Sequence, residues 1–286
     1  FCYSLAFSDP THFVDLARTA DTCGWDSAVL SDHVVHPEKI RTPYPYTPDG
    51  KPRWEAPAPW PDPWVAVGAM AAATTRLRFL TSIFVLPMRN PFLAAKAIGT
   101  AAVLSGNRVT LGIGAGWMED EFELLGQSFR RRGKRMDEMV EVMRKLWAGG
   151  MQEHHGEFYD FERLQMSPAV EEPIPLLSGG ISPAALRRVG RLTDGWLSDL
   201  HSTEELRGLI GKIREEREQA GRADAPLQVV ASCNDAFDVD GYRRLEDVGV
   251  THLLTMPWVF YPADHSTLEG KRDGLRRFAD DVIARM

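Results

Sequence analysis

Two apolar runs, separated by a segment of small residues, dominate the hydrophobic pattern between residues 77 and 126. The first run, LRFLTSIFVLP, has no polar alternation, which predicts a strand buried on both faces of a parallel sheet. A helix of small residues follows, and the second run ends in the glycine-rich GIGAGW before an acidic helix. Ligands of parallel α/β proteins bind at the carboxyl ends of the strands. We therefore expect the functional site at these two strand ends.

The rest of the chain repeats the alternation of strand and helix. Eight strands are predicted, at residues 1–7, 25–30 and 77–86, in the second apolar run that ends in Gly112 to Trp117, and at residues 174–177, 195–197, 227–232 and 250–256. Eight βα units close most simply into a (β/α)8 TIM barrel, an α/β fold. A doubly wound open sheet is less favoured because no Gly-x-Gly-x-x-Gly follows the first strand.

Two segments interrupt this alternation and are predicted to be insertions in a single domain of residues 1–286. Residues 34–61 are rich in proline and aromatic residues, so they are expected to form an irregular but ordered lid. Residues 151–168 are expected to form a small hairpin ahead of the fifth barrel strand.

Composition and charge narrow the classes of partner. A formal net charge of −7 argues against nucleic acid, which needs a basic face. The apolar runs fall short of the roughly 20 residues that span a membrane. Three scattered cysteines favour a reducing cytoplasm, and the spacing of His, Cys and carboxylates predicts no metal site. The chain begins inside a strand-like run at Phe1, so we expect some residues before it to be missing.

Polar residues at strand ends are the first candidates for catalysis. Asp32 and His33 follow the second strand. A histidine there can act as a general acid or base near neutral pH, and an adjacent carboxylate can orient its surroundings. The alternative is a pair that merely caps the turn. His201, after the sixth strand, is a weaker candidate for the same acid–base role.

Glycine-rich strand ends are the second kind of candidate. Ser178, Gly179, Gly180 and Ile181 precede a helix, where free N–H groups can bind a phosphate, although a plain tight turn is equally consistent. The basic run at residues 130–135 is expected to be a solvated helix start, with attraction of an anionic cofactor tail as the alternative.

Glycines alternate at the end of the fourth strand. Gly112, Gly114 and Gly116 would leave room for a flat ligand at the strand mouth, or would instead allow close packing. Trp117 and Glu119, just beyond, are expected to face the same opening.

Four segments carry a resemblance to a known family: ARTADTCGWDSAVLSDH at residues 17–33, residues 62–91, residues 103–126, and IPLLSGGISPAALRRVGRLTDGW at residues 174–196. The chain resembles the luciferase-like monooxygenase superfamily, and specifically its deazaflavin-dependent branch, which uses coenzyme F-420. The resemblance implies an insertion-bearing barrel that binds a flavin or deazaflavin at its carboxyl-terminal face. Dimers are common in this family, so a homodimer is expected.

The resemblance also implies roles for single residues. Ser82 and Ile83 match a pair joined by a non-prolyl cis peptide bond that supports the ring system, and His33 matches the histidine beside the reactive ring carbon, with Asp32 next to it. The family's backbone cradle for the ribityl phosphate is matched by Gly179, Gly180 and Ile181. Its GW-x-E segment is matched by Trp117 and Glu119.

The chemistry implied is hydride transfer between the deazaflavin and a small, largely apolar organic substrate, with His33 moving the proton. The substrate pocket is expected to be lined by Tyr46, Trp54, Trp117, Glu119 and His201. One alternative is an FMN-dependent monooxygenase that uses oxygen and obtains reduced flavin from a partner reductase. A second is a barrel that binds a flavin without turnover.

Overall fold

Eight parallel strands form one closed barrel in the computed structural model, which describes residues 1–286. The barrel strands are β1 (Cys2–Ser4), β2 (Ser27–Leu30), β3 (Arg78–Thr81), β4 (Val109–Ile113), β7 (Leu176–Gly179), β8 (Gly195–His201), β9 (Gln228–Cys233) and β10 (His252–Thr255). Their order around the barrel is β1-β10-β9-β8-β7-β4-β3-β2. The predicted (β/α)8 barrel is therefore confirmed.

Helices surround the barrel, and short 3₁₀ helices occupy some of the connections. The α-helices are α1 (Phe13–Thr22), α2 (Pro63–Ala71), α3 (Pro91–Ser105), α4 (Glu119–Leu124), α5 (Arg132–Trp147), α6 (Pro183–Leu192), α7 (Thr203–Gln219), α8 (Val239–Val248) and α9 (Leu268–Asp281). The 3₁₀ helices are Pro10–His12, Leu86–Met88, Pro257–Phe260 and Ile283–Arg285. None of these helices combines the length and the apolar character that crossing a membrane requires.

Two apolar layers hold the barrel. Inside it, Cys2, Val29, Leu80, Leu177, Leu197 and Val230 form one buried cluster, with one residue from each of six strands. The side chains that point outward from the strands pack against the helices in a much larger core. Because both faces are covered, every residue of β2 and β4 is buried, which explains the unbroken apolar runs in the sequence.

The run predicted as one strand at residues 77–86 is divided in the structure. Strand β3 ends at Thr81, and a non-prolyl cis peptide bond joins Ser82 and Ile83, as the resemblance implies. Phe84 then forms an isolated bridge with Ile113 before the 3₁₀ helix at Leu86–Met88. Ile83 consequently lies above the inner apolar cluster and packs on it.

Two connections depart from the alternation of barrel strands and helices. Residues 31–62 connect β2 to α2 without a helix or strand, and they contain the predicted lid at 34–61. An antiparallel hairpin of β5 (Gln152–His155) and β6 (Asp160–Leu164) lies between α5 and β7.

Candidate functional site

His33 follows β2 at the carboxyl-terminal end of the barrel and is held by a carboxylate from another element. Its Nδ1 lies 3.0 Å from Oε2 of Glu121, in α4. The other oxygen of Glu121 accepts hydrogen bonds from the backbone N–H groups of Val34, at 2.7 Å, and Val35, at 3.3 Å. The side chain of His33 is only 11% exposed and that of Glu121 only 2%. The pair is therefore shielded from water and fixed in orientation.

The charge of Glu121 determines which nitrogen of His33 carries the proton. Burial by itself would raise the pKa of the Glu121 carboxyl, but His33 and the two backbone donors outweigh burial and hold the pKa below its usual range. An ionised carboxylate only accepts hydrogen bonds, so neutral His33 carries its proton on Nδ1. Its Nε2, which makes no hydrogen bond within the protein, keeps a free lone pair. The ring can accept a proton there and return it.

Asp32 is paired with an arginine from the segment after β3. Its carboxylate accepts two hydrogen bonds from the guanidinium of Arg89, both at 2.6 Å, and one from the backbone N–H of Val85, at 2.9 Å. No hydrogen bond joins it to His33. Burial raises the pKa of Asp32, and the Arg89 charge opposes that rise. These bonds tie the end of β2 to the segment after Ile83 and occupy the carboxylate that was expected to act beside His33.

The glycines of β4 do not leave open space at the strand mouth. A Cβ on Gly112 would overlap the carbonyl oxygen of Thr81, and one on Gly114 would overlap the side chain of Ile83. On the other side, a Cβ on Gly179 would lie 3.0 Å from Cγ2 of Ile83. The expected room for a flat ligand above Gly114 is therefore filled by Ile83, which packs between two glycines.

The loop after β7 has the form expected of an anion cradle. Gly180 has φ +103°, a conformation that side chains disfavour, and its carbonyl oxygen accepts a hydrogen bond from Nε1 of Trp196. The Ser182 hydroxyl caps α6 by accepting from the N–H of Ala185, while Ser178 is buried in β7. The backbone N–H groups of residues 180–182 donate no hydrogen bond within the protein. Three donors at a helix N-terminus thus remain for an anionic group.

The lid places its aromatic side chains over His33. The ring centroids of Trp54, Trp60 and Trp117 lie 4.8, 5.2 and 6.2 Å from that of His33. Tyr44 packs against Trp54 and Trp117, and Tyr46 packs against Tyr44. Burial raises the pKa of Tyr44 to about 12, so its hydroxyl stays neutral. The structure therefore brings Trp54 and Trp117 next to the histidine, while Tyr46 is linked to it only through Tyr44.

Two other predicted pocket residues make no contact with His33. The side chain of Glu119 is exposed, and its backbone N–H donates to Oγ1 of Thr42 at 3.3 Å. Glu121, two residues further along α4, makes the contact with His33 that the sequence did not reveal. His201 stacks on Trp196 at the end of β8, and its buried Nε2 has no hydrogen-bond partner.

A cavity of about 570 Å³ lies at the opposite end of the barrel, where residues precede β9 and β10. Its lining includes Arg214, Glu246 and Thr251. Catalysis in TIM barrels takes place at the carboxyl-terminal face. The mouth around His33, not this cavity, is therefore the candidate active site.

Comparisons with known proteins agree with this fold. An uncharacterized protein of Mycobacterium tuberculosis is 40% identical over 289 residues, covering 100% of this chain and 99% of that protein. An F-420-dependent glucose-6-phosphate dehydrogenase of Nakamurella multipartita is 30% identical over 279 residues, covering 96% of this chain and 76% of the relative. The solved structure of a coenzyme F-420-dependent tetrahydromethanopterin reductase from Methanopyrus kandleri superposes with a TM-score of 0.77 at 16% identity, covering 100% and 98% of the two chains.

The sequence pattern of one family spans almost the whole chain. Residues 3–276 match the pattern described as luciferase-like monooxygenase, which includes all eight barrel strands except the first residue of β1. The 30% relative independently covers nearly all of the chain. The protein belongs to the luciferase-like monooxygenase family of oxidoreductases.

Proposed function

We propose that the protein transfers a hydride between a deazaflavin, coenzyme F-420, and a small, largely apolar organic substrate. The observation that carries the proposal is the buried contact between His33 and Glu121, which leaves one imidazole nitrogen free beneath an aromatic lid. The relative of Nakamurella multipartita, whose name specifies F-420 dependence, supports the choice of cofactor. The protein is an enzyme in this proposal, and His33 is its catalytic residue.

The residues at the barrel mouth fit such a cofactor. The three unpaired N–H groups of residues 180–182 suit a phosphate, and Gly180 allows the backbone to approach it closely. Ser82 and Ile83 would support the ring system from below, with Ile83 fixed between Gly114 and Gly179. Buried Nε1 of Trp60 and Nε2 of His201 have no partner within the protein, and bound acceptor groups would satisfy them.

When bound, the cofactor supplies or accepts the hydride; the chain supplies orientation, exclusion of water and a proton. Nε2 of His33 would exchange that proton with the substrate, and Glu121 would stabilise the imidazolium that forms when Nε2 is protonated. Asp32 and Arg89 would act one step further away, by fixing the backbone of Val85 behind Ile83. Tyr44, Tyr46, Trp54 and Trp117 suit an apolar substrate.

The proposal includes a homodimer, in which two copies of the chain meet through α2 and α3. Val65, Leu93 and Leu104 on these helices are 74%, 72% and 71% exposed. Lys96 is the single charged residue in the two helices. A chain with net charge −7 can associate with itself most easily through such a neutral apolar face.

Sedimentation velocity of the Leu104→Glu variant tests this interface. We expect a dimer for the wild type and a monomer for the variant, whereas Met151→Glu, on the hairpin, should remain dimeric. A monomeric wild type at micromolar concentration would overturn the interface.

A second candidate is an FMN-dependent monooxygenase with a partner reductase, and the description of the family as luciferase-like monooxygenase favours it. Fluorescence titration of the purified protein with F-420 and with FMN separates the two. Binding of F-420 without binding of FMN supports the proposal, and tight binding of FMN alone overturns it.

The His33→Ala variant distinguishes catalysis from simple cofactor binding. The variant should retain F-420 affinity within about threefold and lose reduction of carbonyl and enone substrates by about 10²–10⁴-fold. A wild type that binds F-420 but transfers no hydride across such a panel would favour a non-catalytic flavin-binding barrel instead.

A further inference from the structure

The lid consists of two parts that are attached to the barrel very differently. The first part, residues 34–42, which we call the base, is hydrogen-bonded to α4 at both of its ends. Glu121 accepts from Val34 and Val35, and Asp120 accepts from both the backbone N–H and Nε of Arg41. Glu123 also pairs with Arg41. The base is therefore fixed to the helix that holds His33.

The second part, residues 43–61, which we call the flap, has a single hydrogen-bonded attachment. Nη1 and Nη2 of Arg53 each donate to the carboxylate of Asp199 in β8, both at 2.9 Å. The other hydrogen bonds of these residues stay within the flap, as between the N–H of Tyr44 and the carbonyl oxygen of Gly50, or between Arg53 and the carbonyl oxygen of Tyr46. One ion pair thus connects the flap to the far side of the barrel mouth.

The flap carries most of the aromatic rings that cover the histidine. Trp54 and Trp60 lie within about 5 Å of the His33 ring, and both also contact Phe7 at the end of β1. Arg53 is the residue directly before Trp54. Holding Arg53 against Asp199 therefore sets the position of Trp54 over His33.

The Arg53–Asp199 ion pair is partly exposed to solvent, as expected of a pair that can open. The side chains are 38% and 28% exposed, so water and salt reach the pair. The buried pair of Asp32 and Arg89, by contrast, has side chains that are 1% and 20% exposed. Ion pairs in contact with solvent contribute little free energy and weaken as salt rises. Such a pair can hold a flap closed without preventing its release.

We propose that Arg53 and Asp199 form the latch of this flap, positioning Trp54 over His33 when joined and uncovering the histidine when separated. The base stays on α4 in both states, so the contact between Glu121 and His33 survives opening. This inference rests on the proposed function only for the identity of the cofactor and substrate that enter the barrel mouth. The latch itself controls how accessible His33 is, whatever the ligand.

Chemical modification of His33 measures opening without any cofactor or substrate. Diethyl pyrocarbonate acylates neutral imidazole, and peptide mapping by mass spectrometry gives a rate for each histidine. We would compare wild type with Asp199→Asn and Arg53→Gln. The rates are taken at the high-pH plateau, where the histidines are neutral, so that differences in their protonation do not affect the comparison. His155, which is exposed on the hairpin, and His154, which is buried there, serve as internal references.

We expect the His33 rate to rise about two- to fivefold in both latch variants, in line with the modest free energy of a partly exposed ion pair. The rates of His154 and His155 should not change. In the wild type, the His33 rate should rise with sodium chloride, and in Asp199→Asn it should not. Asp199→Glu, which keeps the charge, should return the rate toward that of the wild type.

Asp240→Asn is the matched control, because Asp240 forms an exposed pair with Arg243 within α8 and contacts neither the flap nor His33. It should leave the His33 rate unchanged. Equal His33 rates in wild type and both latch variants would overturn the proposal. So would a rise shared by His33 and His154, since that pattern would indicate general loosening. Failure of F-420 to bind would contradict the proposed function but would leave this result standing.

Discussion

Replacement of Glu121 by Gln reverses the hydrogen bond to His33 while leaving the shape of the side chain unchanged. The amide oxygen of Gln can still accept from Val34 and Val35, whose N–H groups now contact the carboxylate. The amide NH₂ then faces Nδ1 of His33 and can only donate. Neutral His33 must therefore move its proton to Nε2, the nitrogen that the proposed mechanism needs as an acceptor.

The size of the effect follows from the same contact. A wrong tautomer removes general acid–base catalysis, which supplies about 10²–10⁴-fold in rate, so kcat should fall by that factor. The free energy of unfolding should fall by only about 1.5–3 kcal/mol, the usual contribution of a hydrogen bond to a charged group. Affinity for F-420 should change little, because Glu121 contacts the lid and His33, not the cradle at residues 180–182.

The pH dependence has a definite sign. The pKa of Glu121 is lower in the folded protein than its ordinary value, so its contribution to stability is present above about pH 4.3 and is lost as pH falls through the folded pKa. The stability difference between the wild type and Glu121→Gln should therefore be largest near neutral pH and should shrink in acid.

Long-range ¹H–¹⁵N NMR of the imidazole identifies the protonated nitrogen directly and does not require the substrate. The expected spectra show Nδ1–H in the wild type and Nε2–H in Glu121→Gln. Glu119→Gln, on the exposed side of the same helix, should match the wild type in tautomer and activity. If the wild type already carries the proton on Nε2, or if both proteins share one tautomer, the reasoning from the Glu121 contact is wrong.

Two further substitutions test the support of the site. Asp32→Asn leaves the charge of Arg89 poorly compensated and should lower the free energy of unfolding by about 3 kcal/mol in urea denaturation. A variant as stable as the wild type would argue against a positioning role for Asp32. Gly114→Ala places a methyl group against Ile83, so it should lower the free energy of unfolding by about 1–3 kcal/mol and weaken F-420 binding. The control is Gly68→Ala, which has open space around the new methyl group. It should be neutral or slightly stabilising in the same denaturation and titration experiments.

Much of the fold could be predicted because most barrel strands are largely buried on both faces. That burial leaves a continuous apolar run, as in β2 and β4, and the eight runs alternate with helical periodicity. His33 could be identified for a related reason, since a polar residue directly after such a run lies at the barrel mouth. The position of Ile83 and its cis peptide bond came from resemblance to a family rather than from the residues themselves.

The partner of His33 could not be identified from the sequence. Helix α4 contains Glu119, Asp120, Glu121 and Glu123, four acidic residues within one and a half turns. Only the docking of the lid assigns them: Asp120 and Glu123 contact Arg41, Glu121 contacts His33, and Glu119 remains exposed. Likewise, alternating glycines indicate close approach to the strand, but whether a ligand or the side chain of Ile83 makes that approach is a tertiary fact.

The division of the lid has a consequence for how this scaffold can change substrate. Glu121, which contacts His33, and Asp120, which holds the base of the lid, lie in one short helix, so neither contact can vary without disturbing the other. The flap carries Trp54 and Trp60 and returns to the barrel through one pair of side chains. A loop exchange confined to residues 43–61, with Arg53 retained, would therefore change the surface over His33 while the contact between His33 and Glu121 stayed intact.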